Sequence, residues 1–513
     1  MKKIKYIFMA AVTLLGLSAC SELALDEVNK DVNHAPDAEA RFTFADVATA
    51  TAFTVVGGDF NTYFGVAVEH WGGVHNQLYK ADHRDGEWIS SSCFNNAWGG
   101  IYSNIRNARI LVAKTEKDSG SVDAGNSALN GACKVILAYN CAILTDLFGD
   151  VPYTQACDYY TYPSPVIDKQ EDIYKDLNKM LGEAIAQLTN AGANGAGSYD
   201  FIYGGSSAKW LKFAYGLRAR LALHTILRAS DKNAVYNQIL DDISKSFESS
   251  DDDAQFTLYD GDNQLSPLGA FQYSREAIAA SKSMADKFLE RDDPRGKMIY
   301  CGNYWDNYCG HIMIGASDFN PVPNGTGIEA QEYYTEDCYL WTLNAPTILL
   351  SYSELQFIKA EVLARQGKDA EAKEAAFEAV AAAFEITNTN IASAQDCWGF
   401  GYDGDFLTDD DAAAYCARVI DPLSGEALLS EIMVQKYISF HGANGGSVEA
   451  YNDIRRLKAE NKNYIILANP NPKFPLRAGY GSSDTTTNPN VQAAFGDGSY
   501  VFSENVWWAG GSR

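Results

Sequence analysis

Three imidazoles, His70, His75 and His83, fall close together in the chain, and clustered imidazoles are the side chains that gather a zinc or copper ion. No carboxylate or thiol stands at helical spacing to complete the set, so no metal centre is expected there. Asp260-Gly261-Asp262-Asn263 offers the hard oxygens that calcium takes. It lacks the loop length and terminal glutamate of a calcium loop, and reads as a solvated turn. Gly399-Phe400-Gly401-Tyr402-Asp403-Gly404 has the glycine spacing of a dinucleotide loop. It follows no apolar strand and runs into Asp409-Asp410-Asp411, whose charge would repel a pyrophosphate, so it is read as a chance match. H-E-x-x-H, G-x-S-x-G and phosphate-loop strings are absent. With 66 acidic residues in the chain, carboxylate pairs of the glycosidase kind are easily found and none stands out. No catalytic residue, metal or cofactor is assigned, and the chain reads as a binding protein, not an enzyme.

Aromatic side chains carry a stronger signal. Trp71, Trp88, Tyr304, Trp305, Tyr308, Tyr333, Tyr334, Trp341 and Trp398 sit in segments with no helical period to bury them. A ring face stacks on the apolar face of a sugar or on a peptide side chain, and neighbouring Asn76, Gln77, Asn303 or Asp306 could orient such a ligand by hydrogen bonds. The candidate ligand-binding set is Trp71, Asn76, Tyr79, Trp88, Tyr304, Trp305 and Tyr308. The opposing reading, that a given tryptophan packs its loop onto a core, holds for most of them; one or two are expected to line an exposed site.

The elements that must position these rings are helical. Ile101, Ile105, Ala108 and Val112 mark a helix from Trp98 to Lys114; a second runs from Leu129 to Phe148 and stops at Gly149 and Pro152. Ile173, Leu177, Leu181, Ile185 and Leu188 stripe a third, and a fourth runs from a Ser206 or Ser207 cap to Arg228. Ile348, Tyr352, Leu355, Ile358 and Val362 then form a stripe, Gly367 breaks it, and an alanine-rich helix is expected from Asp369 to about Phe384. Ala372, Ala375, Ala376 and Ala379 would let the two backbones approach, as in a tetratricopeptide hairpin. The fold class is mainly α: a tetratricopeptide-like helical-hairpin core with long aromatic-rich loop insertions near 56–96, 250–272, 298–343 and 391–412. Loops this long in a compact domain carry function or are disordered, and aromatic-rich ones are seldom disordered.

The start of the chain sets its location. Lys2, Lys3 and Lys5 precede an apolar run from Ile7 to Leu17, and Leu17-Ser18-Ala19-Cys20 ends it. The run is shorter than the roughly 18 to 20 residues that cross a bilayer, so residues 1–19 read as a lipoprotein signal peptide. Cys20 would be the lipidated N-terminus, anchored by palmitate-type acyl chains at about 0.8 kcal/mol per buried methylene. Residues 20–41 read as a flexible tether and 42–513 as a single domain. Beyond Cys20 no apolar run is expected to span a membrane. The net charge of −25 leaves no basic footprint for nucleic acid. The remaining cysteines show no C-x-x-C pair or regular framework. Cys301 and Cys309, flanking a turn-like stretch, are the couple best placed to oxidise.

Several strings together resemble the SusD/RagB family of nutrient-binding outer-membrane lipoproteins. They are Trp98-x-x-Ile101-Tyr102 with Asn107-Ala108-Arg109, Leu144-Thr145-Asp146-Leu147-Phe148-Gly149-Asp150-Val151-Pro152-Tyr153, Lys209-Trp210-x-Lys212-Phe213-Ala214, Asp293-Pro294-Arg295, Leu350-Ser351-Tyr352-Ser353-Glu354, and Gln435-Lys436-Tyr437 ahead of Asp453-Ile454-Arg455-Arg456. Their order is similar too, and Pro470-Asn471-Pro472-Lys473-Phe474-Pro475 follows, with Lys473 where the family usually has arginine. The resemblance implies a SusD-like fold on the outer membrane that captures oligosaccharides or peptides for a SusC-like TonB-dependent transporter, with the hairpin helices against that partner. It implies no binding role for the quoted strings, which read as framework. An assembly lipoprotein binding only a protein, or a surface glycoside hydrolase, are the alternatives.

Overall fold

The computed structural model describes residues 38–302 and 310–513. The chain divides into Met1–Glu39 and Ala40–Arg513, and the second unit is the one described below. The signal segment, Cys20, Tyr304, Trp305, Tyr308 and Cys309 lie outside the described residues. The expected tether, 20–41, overlaps the first helix, because Ala40 and Arg41 already belong to α1 (Ala40–Ala50).

Helix α2 (Asp59–Ala67), the short α3 (Asn76–Asp82) and the long α4 (Asn95–Thr115) follow. At the centre lies α5 (Ser127–Phe148), buried at every position from Ala128 onward. A helix that is apolar all round has no solvent face and must be enclosed, and α5 is enclosed by α4, α6 (Gln170–Leu188) and α7 (Ser207–His224). With a mean hydropathy of 1.4, α5 is long and apolar enough to cross a membrane, contrary to expectation, yet it is wholly buried inside the protein. Asn126 caps it by accepting from Leu129 N at 3.0 Å. Gly149, at φ 75°, ends it, and a Cβ there would come within 2.7 Å of the Arg477 guanidinium. Only glycine meets both demands.

Helix α8 (Lys232–Ile243) precedes a stretch with α9 (Pro267–Arg275) and α10 (Lys282–Arg291), after which α11 (Tyr352–Arg365) and α12 (Asp369–Trp398) form the hairpin. Gly367 turns it at φ 74°, and Ala372, Ala375, Ala376 and Ala379 are buried along the seam. The second helix runs past the expected end at Phe384 to Trp398, so the insertion placed near 391–412 begins later. The alanine pattern stops at Thr387, but Thr387, Asn390 and Ser393 still face inward and bond to Tyr339, Asn444 and Asn344. Buried polar groups with partners continue a helix that apolar counting would end. The insertion near 56–96 is partly helical, holding α2, α3 and the start of α4. Helices α13 (Asp409–Val419), α14 (Gly425–Ser439) and α15 (Ser447–Ala459) complete the core.

Among the described residues the strands are short and pair antiparallel in twos: β1 (Trp71–Gly73) with β5 (Ile278–Ala280), β2 (Val151–Pro152) with β3 (Ile167–Asp168), β4 (Ala254–Phe256) with β8 (Thr347–Leu350), and β6 (Tyr300–Cys301) with β7 (Glu336–Asp337). The first of these pairs ties the insertion near 56–96 to the segment between α9 and α10.

Candidate ligand-binding cleft

Register in the β1–β5 pair sets Trp71 opposite Ala280 and Gly73 opposite Ile278, and Val74 N donates to Ala277 O at 2.9 Å. The turn that follows β1 is thereby held against the end of α9. That helix stops at Glu276, which takes a left-handed conformation at φ 44°, and the buried Gln272 amide ties it to β5 by donating to Ile278 O at 2.9 Å. Between turn and helix end opens a cleft of about 170 Å³, bounded by His75, Asn76 and Gln77 on one side and by Phe271, Ser274, Arg275 and Gln331 on the other. Gln331 closes one end by donating to Arg275 O at 2.8 Å.

The lining is rich in donors, with a guanidinium and three side-chain amides, and adds the Phe271 ring. Such a set orients hydroxyls, carbonyls or carboxylates and stacks on an apolar face. It is poorly equipped for covalent chemistry. The Ser274 hydroxyl donates to Phe271 O at 3.1 Å, and His75 faces the exposed Glu329 at 3.7 Å, so no nucleophile and base are engaged with each other. On the same helix but outside the cleft lining, Tyr273 is 54% exposed and its ring centre lies 5.5 Å from half-buried Trp398, which meets Trp341 edge-on at 5.6 Å. Tyr333, 58% exposed, stands against Tyr334 at 4.9 Å.

The expected binding residues divide. Trp71 is wholly buried and its Nε1 donates to Asp337 Oδ2 at 3.2 Å. Trp88 is wholly buried, donates to Ala81 O at 2.9 Å and packs on Tyr63, Phe64 and Phe94. Both indoles have spent their polar edge and present no face outward, so for these two the packing reading holds. Asn76 is exposed at the cleft, its backbone N donating to Glu329 Oε1 at 2.7 Å. Tyr79 is half-buried, with its ring 4.2 Å from that of His83. Phe271, Tyr273, Arg275 and Gln331 were not singled out by the sequence, because they lie on a short helix and a loop far along the chain from Asn76.

The histidines do not converge. His70 lies between Ser447 Oγ and Tyr437 O, each at 3.2 Å, and burial holds its imidazole well below the usual range. His83 bonds within its own helix to Tyr79 O at 2.9 Å. Among the described residues the one cluster with metal-ligating types is Asp146, His224 and Glu449, all buried. There His224 Nδ1 is 3.3 Å from Asp146 Oδ2 and Nε2 is 3.0 Å from Glu449 Oε2. Tyr174 and Trp508 donate to Asp146 as well. Burial alone would lower the imidazole's pKa, but the two carboxylates outweigh it and hold it up at about 9. Burial would raise Glu449, yet Arg220 and His224 bring it down to about 2. With a carboxylate at each ring nitrogen the histidine has no lone pair to offer a cation, and the cluster works as an internal clamp joining α5, α7 and α15.

A family model described as starch-binding associating with outer membrane, the SusD-like model, matches residues 72–480. The chain is 42% identical to a SusD/RagB family protein from Bacteroides thetaiotaomicron of known structure, with a TM-score of 0.88 over 93% of this chain and 100% of that one. A chitin-binding protein superposes with a TM-score of 0.68 at 23% identity over 90% and 99% of the two chains. A SusD homolog from Bacteroides fragilis does so with a TM-score of 0.68 at 19% over 92% and 99%; these two likenesses concern the fold. No curated protein matches. The tetratricopeptide-like helical core read from the sequence is the fold of these neighbours. On the model match and the 42% identity over nearly the whole length, the chain belongs to the SusD/RagB family of nutrient-binding proteins associated with the outer membrane.

Proposed function

We propose that the protein is held by lipid on Cys20 at the cell surface, captures oligosaccharides or peptides there, and delivers them unchanged to a SusC-like TonB-dependent transporter. The observation that carries this reading is the cleft beside Asn76, where Arg275, the amides of Gln77 and Gln331, and the Phe271 ring converge. Amides and a guanidinium with an adjacent ring face suit a hydroxyl-rich ligand held weakly enough to be passed on. Family membership supports the capture role, and the starch-binding description and the chitin-binding neighbour favour glycans as the first ligands to try.

The test is calorimetric titration of the full chain in detergent with malto-oligosaccharides, chito-oligosaccharides and mixed peptides, with chromatography of the ligand afterwards. Saturable binding of one class, recovered intact, is expected. Product formation would replace capture with hydrolysis. Silence across the panel would favour a lipoprotein that binds only a protein partner.

A further inference from the structure

Charge singles out one side chain of the cleft. The chain carries 66 acidic residues against 41 basic ones, yet no carboxylate lines the cleft, and Arg275 is the one lining group that keeps its charge at every working pH. Its guanidinium is exposed and makes no hydrogen bond, ion pair or ring contact among the described residues. Other arginines of this chain are committed. Arg218, Arg220 and Arg456 pair with carboxylates, and Arg109, Arg228 and Arg477 are held by backbone carbonyls. Only Arg106, which does not line the cleft, is also free among the described residues. Glu329 is engaged with the opposite wall, its Oε1 accepting from Asn76 N at 2.7 Å and lying 3.7 Å from His75 Nδ1.

A free, planar fork of donors beside a ring and side-chain amides, with no anion in the lining, is complementary to a carboxylate flanked by hydroxyls. The volume of about 170 Å³ is below the roughly 300 to 1,000 Å³ of a pocket for a drug-sized ligand, so the cleft admits a single unit of a longer chain. We infer that the cleft selects a uronate, a sugar unit bearing a carboxylate. The carboxylate would take two bonds from Arg275, the hydroxyls would meet the amides of Asn76, Gln77 and Gln331, and the apolar ring face would lie on Phe271. An acidic peptide would satisfy Arg275 but brings no row of hydroxyls for the amides. The inference rests on the capture reading above and narrows its ligand from glycans in general to acidic ones.

The test is calorimetric titration of the full chain in detergent with trigalacturonate and triglucuronate, each beside its methyl ester, which keeps the hydroxyls and loses the charge. Neutral malto- and chito-oligosaccharides and a glutamate-rich peptide complete the panel. At least one uronate is expected to bind saturably, about tenfold or more tightly than its ester, and less tightly as salt rises. Arg275→Gln is expected to lose about tenfold for the acid and to leave the ester unchanged. Arg275→Lys keeps the charge without the fork and is expected to lose about threefold. Arg106→Gln, the control, should change neither. Equal affinity for acid and ester, equal losses in Arg275→Gln and Arg106→Gln, or tighter binding of the peptide would each overturn the inference. Silence of both uronates while a neutral oligosaccharide binds and is recovered intact would overturn it and leave the capture reading standing; silence across the whole panel would overturn both.

Discussion

Arg456 on α15 and Glu361 on α11 form a two-bonded ion pair with no solvent exposure on either side chain, 2.7 Å from Nη2 to Oε2. Asp453 and Arg365 extend it. Burial would raise the Glu361 carboxyl, but Arg456 and Arg365 hold it well below the usual carboxylate range. Removing one partner strands a buried charge, so Glu361→Gln is expected to destabilise the protein by about 3 to 5 kcal/mol. Denaturant unfolding measures this; a change under about 1 kcal/mol would show that the pair contributes little.

The His224 clamp predicts a dependence on pH. The folded-state pKa of about 9 lies above the ordinary value of 6.5, so its stabilisation is fully present below about pH 6.5 and is lost as pH rises through 9. The span corresponds to a few kcal/mol, on the order of 3. Unfolding midpoints should therefore fall between pH 6.5 and 9.5 in the wild type and fall less in His224→Gln. Parallel pH profiles would remove the clamp from the account.

Gly149→Ala should be costly for reasons local to the backbone. The position has φ 75° and an added Cβ would meet the Arg477 guanidinium. A loss of more than about 1 kcal/mol is expected. Gly367→Ala shares the positive φ but has open space around it, and comparing the two melting curves separates crowding from backbone strain.

Binding and stability should respond to different residues. Arg275→Ala and Gln331→Ala lie at an exposed cleft and are expected to weaken ligand binding about fivefold or more with little change in Tm. Trp71→Ala empties a buried site, at about 3 to 5 kcal/mol, and should lower Tm while the remaining folded protein binds normally. Calorimetry and thermal melting on the same preparations check both. Lost affinity in Trp71→Ala at unchanged Tm would return that indole to the ligand site.

Periodicity made the hairpin legible: the Ile348 to Val362 stripe, the break at Gly367 and the alanine seam are all local features that need no partner to be read. The same holds for the end of α5 at Gly149. The continuation of α12 to Trp398 was not legible, since Thr387, Asn390 and Ser393 look like the start of a loop until Tyr339, Asn444 and Asn344 are seen across from them. Trp71 and Trp88 misled for a related reason. Their segments carry no period, and burial there comes from short strands and turns folded onto α2 and α3.

By itself, then, the sequence determined the helical class, the hairpin, the family strings and the absence of any signature for catalysis, because these are written in residues within a turn or two of one another. Tertiary structure decided which rings face solvent, how β1 meets β5 to set Asn76 beside Arg275, and how Asp146, His224 and Glu449 converge from three helices. Those are meetings of segments distant in the chain, chosen by which faces bury the most apolar surface with every polar group still bonded, and no local pattern records that choice.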